Sequence, residues 1–199
     1  TTAPNLTNPT QVSADEYNSC ALDDTGVVCW GANWYGNATV PSLTNPTAVS
    51  VGRYHTCALD DTGVVCWGEG NGGSGLPSLT NPTQVASGNG YSCAVDDDGV
   101  KCWGRNSYGQ SSPTSLTKPT QVSAGYEHAC ALDASGVGCW GNNDTGQADS
   151  AAPSVRNPTQ VSVDRSGSTN QVCVLDDLGV ACWHPGWWYP AFPGSGQGI

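Results

Sequence analysis

The chain has 199 residues and a formal net charge of −11, from 17 acidic against 6 basic side chains. Only 12% of residues are charged, yet no apolar run is longer than a few residues, which excludes a membrane-spanning helix. So negative a balance repels a phosphate backbone and excludes nucleic acid as a partner. No Met occurs anywhere in the sequence. The chain therefore reads as a processed product or an excised fragment, and the lack of a leader segment argues nothing.

In chain order, one set of elements returns five times. Asn8-Pro-Thr-Gln-Val-Ser is a short β-favouring run, with its Pro at the start where a missing donor does little harm. Cys20-Ala-Leu, then Asp-Asp-Thr-Gly, then Val-Val-Cys29-Trp30 reads as two strands about a tight turn, with Gly26 in the left-handed position. Opposing Leu22 with Val27 also opposes Cys20 with Cys29, and the pleat sends Ala21, Val28 and Trp30 to the other face. A fourth short strand is predicted near Thr39-Val40-Pro41. The run CALDDTGVVCWG recurs unchanged at Cys57 to Gly68, with weaker copies starting at Cys93, Cys130 and Cys173. The Asn-Pro-Thr marker recurs from Asn45, Asn81, Lys118 and Asn157, and the fourth strand again at Gly75-Leu76-Pro77. The units fall at about 1–37, 38–73, 74–109, 110–147 and 148–183, leaving a tail at 184–199. Each is an antiparallel sheet too small to bury a face alone, so the sheets must stack.

The ten cysteines form five C-x8-C pairs, one per unit: Cys20 with Cys29, Cys57 with Cys66, Cys93 with Cys102, Cys130 with Cys139, and Cys173 with Cys182. Repeat symmetry selects these local connectivities. Metal binding is the competing reading, but two thiolates per unit and three histidines in all do not build five zinc sites. Buried free thiols are the blander one. Five hairpin disulfides indicate an exported protein, secreted or at the cell surface.

Trp103-Gly-Arg-Asn-Ser-Tyr-Gly-Gln110 and Trp140-Gly-Asn-Asn-Asp-Thr-Gly-Gln147 share the pattern W-G-x-N-x-x-G-Q, which Trp30 to Asn37 and Trp67 to Ser74 follow in part. With Ala-Gly-x-x-His-x-Cys-Ala-Leu at Ala124 to Leu132, and its near copy at Gly52 to Leu59, the sequence resembles the RCC1-type repeat of regulator-of-chromosome-condensation-like proteins. It is most similar to their short, cysteine-bearing bacterial form. The resemblance covers essentially the whole chain and implies an all-β propeller of four-stranded antiparallel blades, one hairpin disulfide in each. The family usually closes its ring with seven blades, whereas this chain supplies five. A closed five-bladed ring, an open arc and a ring completed by a neighbouring chain are the alternatives. Thr1 to Leu6 aligns with Ala38 to Leu43, so in a closed ring it would finish the last blade.

Function is sought in the loops that vary between units. One set precedes each leading cysteine and carries Tyr17, Tyr54, Tyr91, Tyr126, Glu127 and, in a longer loop, Arg165. The other follows each Cys-Trp-Gly and carries Trp34, Tyr35 and Tyr108. Propeller geometry gathers both on one face, and aromatic loops rich in Asn, Ser and Gly suit a protein interface or stacking on sugars. Trp187, Trp188, Tyr189 and Phe192 make the tail a cover for the last blade or an intermolecular anchor.

His55 and His128 share a register with Asn18, Tyr91 and Gln171, which assigns them a structural role, bonded to loop backbone. The Asp pairs 23/24, 60/61 and 176/177 sit in hairpin turns, where Asp bonds the turn. No nucleophile elbow, zinc-protease motif or phosphate loop is present, so neither enzyme activity nor a cofactor is implied. The family's founding member is a nucleotide-exchange factor on chromatin, an activity at odds with this acidity, these disulfides and the missing basic arm. The better family analogy is a secreted bacterial inhibitor that grips a protein with one propeller rim. The reading is a secreted, non-enzymatic binding module that takes a protein or carbohydrate ligand on its Tyr-rich face. Its alternative is a structural subunit of an extracellular filament, matrix or surface layer, self-associating through blade edges and the aromatic tail.

Overall fold

The computed structural model describes residues 2–72, 75–144, 146–148, 155–167, 170–184 and 187–189. Each repeat folds into one antiparallel sheet. The first holds β1 (Gln11–Ala14), β2 (Asn18–Asp23) and β3 (Gly26–Gly31), and the second β4 (Ala48–Val51), β5 (His55–Asp60) and β6 (Gly63–Gly68). The third holds β7 (Gln84–Ser87), β8 (Tyr91–Asp96) and β9 (Gly99–Gly104), and the fourth β10 (Gln121–Ala124), β11 (His128–Asp133) and β12 (Gly136–Gly141). The fifth holds β13 (Gln160–Val163), β14 (Val172–Asp176), β15 (Gly179–His184) and β16 (Trp187–Tyr189).

Among the described residues four blades are thus three-stranded, not four-stranded. The segments at Thr39-Val40-Pro41 and Gly75-Leu76-Pro77 run as irregular chain, where Pro41 and Pro77 have no donor for a ladder. The fifth blade gains its outer strand from the aromatic tail, with Trp183 opposite Trp188 and His184 opposite Trp187, and not from residues 2–6. Phe192 lies outside the described residues.

The hairpin register is the one the cysteine spacing predicts. Cys20 faces Cys29 and Leu22 faces Val27, and the four later hairpins repeat this. All five intra-hairpin disulfides are formed, and no cysteine is free. At the turn, Asp23 Oδ1 accepts from the Thr25 amide and hydroxyl, at 2.8 and 2.6 Å, while Oδ2 accepts from the Thr7 amide at 2.8 Å. Asp60 and Asp133 repeat the arrangement. The carboxylates therefore brace turns. The Thr25 hydroxyl and the two amides hold the Asp23 carboxyl below its ordinary pKa.

The blades meet through one repeated joint. The cysteine-bearing face of each sheet packs on the first strand of the next, as Cys20 and Leu22 do on Val49 and Val51, Cys93 and Val95 on Val122 and Ala124, and Cys130 and Leu132 on Val161 and Val163. Each such valine contributes about 1.5–3 kcal/mol by burial. The first strands of adjacent blades are then tied by side chains that accept from backbone. Gln11 Oε1 takes the Val49 amide at 2.9 Å and Ser13 Oγ the Val51 amide at 3.0 Å. Gln84 does the same for Val122, Gln121 for Val161, Ser50 for Ser87 and Ser123 for Val163. Gly88 permits this approach, since a Cβ there would lie 2.4 Å from both the Gly125 carbonyl oxygen and the Tyr91 ring.

The fifth blade does not cover the first. Val12 is 70% exposed, whereas its counterparts Val49, Val85, Val122 and Val161 are 2–6% exposed. Leu175, Leu178 and Val180 are likewise exposed on the fifth blade. The array is an open arc about a channel of about 530 Å³, which Ser13, Ser123 and Ser162 of blades 1, 4 and 5 share.

Candidate ligand-binding face

The loops before β2, β5, β8, β11 and β14 and those after β3, β6, β9 and β12 emerge at one end of the arc. At their centre stands Arg53. Its guanidinium lies 5.3–5.8 Å from the ring centroids of Tyr17, Tyr54 and Tyr126, which come from blades 1, 2 and 4, and pairs with Glu16 at 3.2 Å. A cation flanked by aromatic faces is held by their quadrupoles as well as by its ion pair. Tyr17 continues outward to Trp34 with centroids 5.1 Å apart, and Tyr54 to Tyr35 at 5.3 Å in an edge arrangement. The Glu16 carboxylate beside Tyr17 raises its phenol pKa.

The outer end of this chain of rings is open to solvent. Trp34 is 71% exposed, and Tyr35 and Tyr108 are exposed as well. The loop that carries Trp34 is firm: Asn33 Oδ1 accepts from the Ala38 amide and its Nδ2 donates to the Thr39 hydroxyl, both at 2.8 Å. Asn106 and Asn143 brace their loops in the same way. This is the physical role of Asn in the W-G-x-N pattern. The residue that ends the pattern has another. The Asn37 carbonyl accepts the Trp67 indole N–H of the next blade, and the Gln110 carbonyl that of Trp140, each at 2.9 Å. A second, smaller cluster joins Arg105 to the Tyr108 ring at 5.8 Å and to Glu127 at 3.1 Å.

Tyr91 does not belong to this face. It is fully buried, and its hydroxyl donates to the His128 carbonyl oxygen at 2.6 Å. Its ring fills the space that the missing side chain of Gly88 leaves, and burial drives its phenol pKa far up. Arg165 is also redirected. It is half-buried at the channel mouth, where its guanidinium donates to the Ala14 carbonyl at 3.1 Å and to the Val51 carbonyl. It straps blade 5 to blades 1 and 2, and burial pulls its pKa down against the nearby Asp15. Trp187, Trp188 and Tyr189 are committed by backbone to the outer strand of blade 5.

The two buried histidines are structural, though not through loop backbone. His55 Nε2 contacts Ser92 Oγ of the next blade at 2.8 Å, and neither His128 ring nitrogen has a hydrogen-bond partner among the described residues. Burial lowers the pKa of each to about 4. Among the described residues, no group of three or more His, Cys, Asp or Glu side chains is placed to hold a metal ion.

Comparison with known proteins agrees with this geometry. The family model for the regulator of chromosome condensation (RCC1) repeat matches residues 47–74, 83–110 and 120–147. The ectodomain of the receptor kinase CR4 from Physcomitrella patens superposes with a TM-score of 0.75 at 24% identity, over 92% of this chain and 53% of that one. The ectodomain of the Arabidopsis thaliana receptor kinase ACR4 gives 0.69 at 24% identity, over 90% and 65%. Prp20p from Saccharomyces cerevisiae, described with its binding to Gsp1p and histones, gives 0.71 at 18% identity, over 88% and 58%. The likeness is one of fold, and the chain spans between half and two thirds of the length of these structures. A search of curated protein sequences finds no match.

Proposed function

From a chain that carries RCC1 repeats folded as consecutive propeller blades, we propose a secreted, non-enzymatic binding module that grips a protein partner with the loop face around Arg53. The observation that carries this reading is the convergence of Tyr17, Tyr54 and Tyr126 on Arg53, with Trp34 and Tyr35 left open beside them. Rings that already pack against one another lose little freedom on binding and present large amphipathic area, which is what binding hot spots require. Two further facts support it: Prp20p, described with its binding to Gsp1p and histones, shares this fold, and so do two receptor ectodomains. The disulfides favour an extracellular site of action. The net charge of −11 argues against a chromatin partner.

The test is capture of partners from the native extracellular medium by the immobilised chain, beside a Trp34→Ala, Tyr35→Ala double variant. Proteins held by the first and released by the second support the reading, and equal capture by both overturns it. Retention of glycans with no protein would transfer the same face to carbohydrate recognition.

A second reading rests on the open ends of the arc. Val12 at one end and Leu175 at the other lie where internal joints bury their counterparts, so self-association through these faces would yield a polymer. Light scattering on the eluting protein decides it: growth of mass with concentration favours the polymer, and a constant monomer mass removes it.

A further inference from the structure

The second repeat breaks the loop pattern of its neighbours. Gly70 stands where Asn33, Asn106 and Asn143 brace their loops, and the chain instead takes a short 3-10 turn over Glu69–Gly72. With no asparagine to fold the loop back on itself, a groove of about 260 Å³ opens between blades 2 and 3, lined by Tyr54, Glu69, Gly70, Asn89, Gly90 and Arg105. This lies below the roughly 300–1,000 Å³ of small-molecule pockets and suits one inserted side chain.

We infer that this groove receives a lysine or arginine side chain of the protein partner, with Glu69 as its counter-ion and the Tyr54 ring as its wall. The inference rests on the reading of the face as protein-binding. The charge pattern around the groove decides the sign of the guest. Arg105 is already paired with Glu127 and set against Tyr108, and Arg53 is paired with Glu16. The Glu69 carboxylate is exposed and makes no ion pair or hydrogen bond with any described residue. The groove therefore presents one unspent negative charge beside an aromatic face, the two features that attract a cation. Its walls suit the guest's methylene stem, since the backbones of Gly70 and Gly90 carry no side chains and the Arg105 stem lies alongside. The Glu69 amide donates to the Tyr54 carbonyl at 2.9 Å and the Arg105 amide to the Gly90 carbonyl at 2.8 Å, which fixes both walls before binding. An overall charge of −11 adds a long-range field that draws a basic partner in.

The experiment is an amide NMR titration of the intact chain with N-acetyl-lysine methylamide and N-acetyl-arginine methylamide, against neutral N-acetyl-norleucine methylamide. The expected result is saturable shifts of the Gly70, Gly90 and Arg105 amides with the two cationic probes. Glu69→Gln should weaken them at least fivefold, with the rest of the spectrum superimposable on that of the parent. Equal response to the neutral probe, or no change in Glu69→Gln, overturns the inference. The two claims fail separately. Loss of the titration with partner capture intact sinks the groove alone, whereas an intact titration with no Trp34-dependent capture sinks the protein-binding face alone.

Discussion

The Tyr91 hydroxyl donates to the His128 carbonyl oxygen at 2.6 Å across the joint between the third and fourth blades. Tyr91→Phe removes one of the two hydrogen bonds to that carbonyl, which keeps the Gly125 amide at 2.9 Å, and should cost about 1 kcal/mol. In a domain of this size that lowers Tm by a few degrees, at about 2–4 °C per kcal/mol. Gly88→Ala drives a methyl into the same ring and into the Gly125 carbonyl, and should cost about 3 kcal/mol or more. Thermal unfolding that ranks the two variants the other way would contradict the packing.

Buried, neutral histidines make stability depend on pH. His55 and His128 bind a proton near pH 6.5 when unfolded and near pH 4 when folded, so between those values the unfolded chain takes up more protons. Stability should be full above about pH 6.5 and fall as pH drops towards 4, by on the order of 3 kcal/mol per histidine. Asp23 and Asp176, with folded pKa values below 3.8, add a further loss only below about pH 4. Urea midpoints measured across pH 4–7 for the parent and for His128→Gln should show a shallower slope in the variant.

Removing one disulfide should be costly but local. The Cys57→Ser, Cys66→Ser double variant frees a ten-residue loop, worth about 2–3 kcal/mol on the chain-entropy account. Non-reducing peptide mapping of the parent should find only links within single repeats, and any cross-repeat link would refute the register.

Arg165→Ala deletes the strap between blade 5 and the Ala14 and Val51 carbonyls. Hydrogen exchange should then accelerate across β13 and β14 while β5, β8 and β11 keep their protection. Uniform acceleration would show that the strap serves the whole arc.

The hairpins were legible because one covalent constraint per unit, Cys20 to Cys29 and its copies, sets the strand register, and the turn residues agree with it. The same register that gives His55 and His128 a structural place also holds Tyr91, so its burial follows from position and not from its place beside a variable loop. No fourth strand forms at Thr39-Val40-Pro41 or Gly75-Leu76-Pro77, since Pro41 and Pro77 end any ladder there. Arg53 is the centre of the face, yet only its rarity among six basic residues marks it in the sequence. Its partners Tyr17 and Tyr126 come from blades 1 and 4, and their meeting depends on the curvature of the whole arc.

The indole bonds between units have a direction. Trp67 reaches back to the Asn37 carbonyl and Trp140 to Gln110, so the second and fourth hairpins dock onto peptide that precedes them in the chain. During synthesis these two units find their acceptor already made, which favours adding them from the N-terminal side. Truncation should then be asymmetric. Loss of the last unit leaves the Trp67 and Trp140 indoles satisfied, whereas loss of the first strands Trp67.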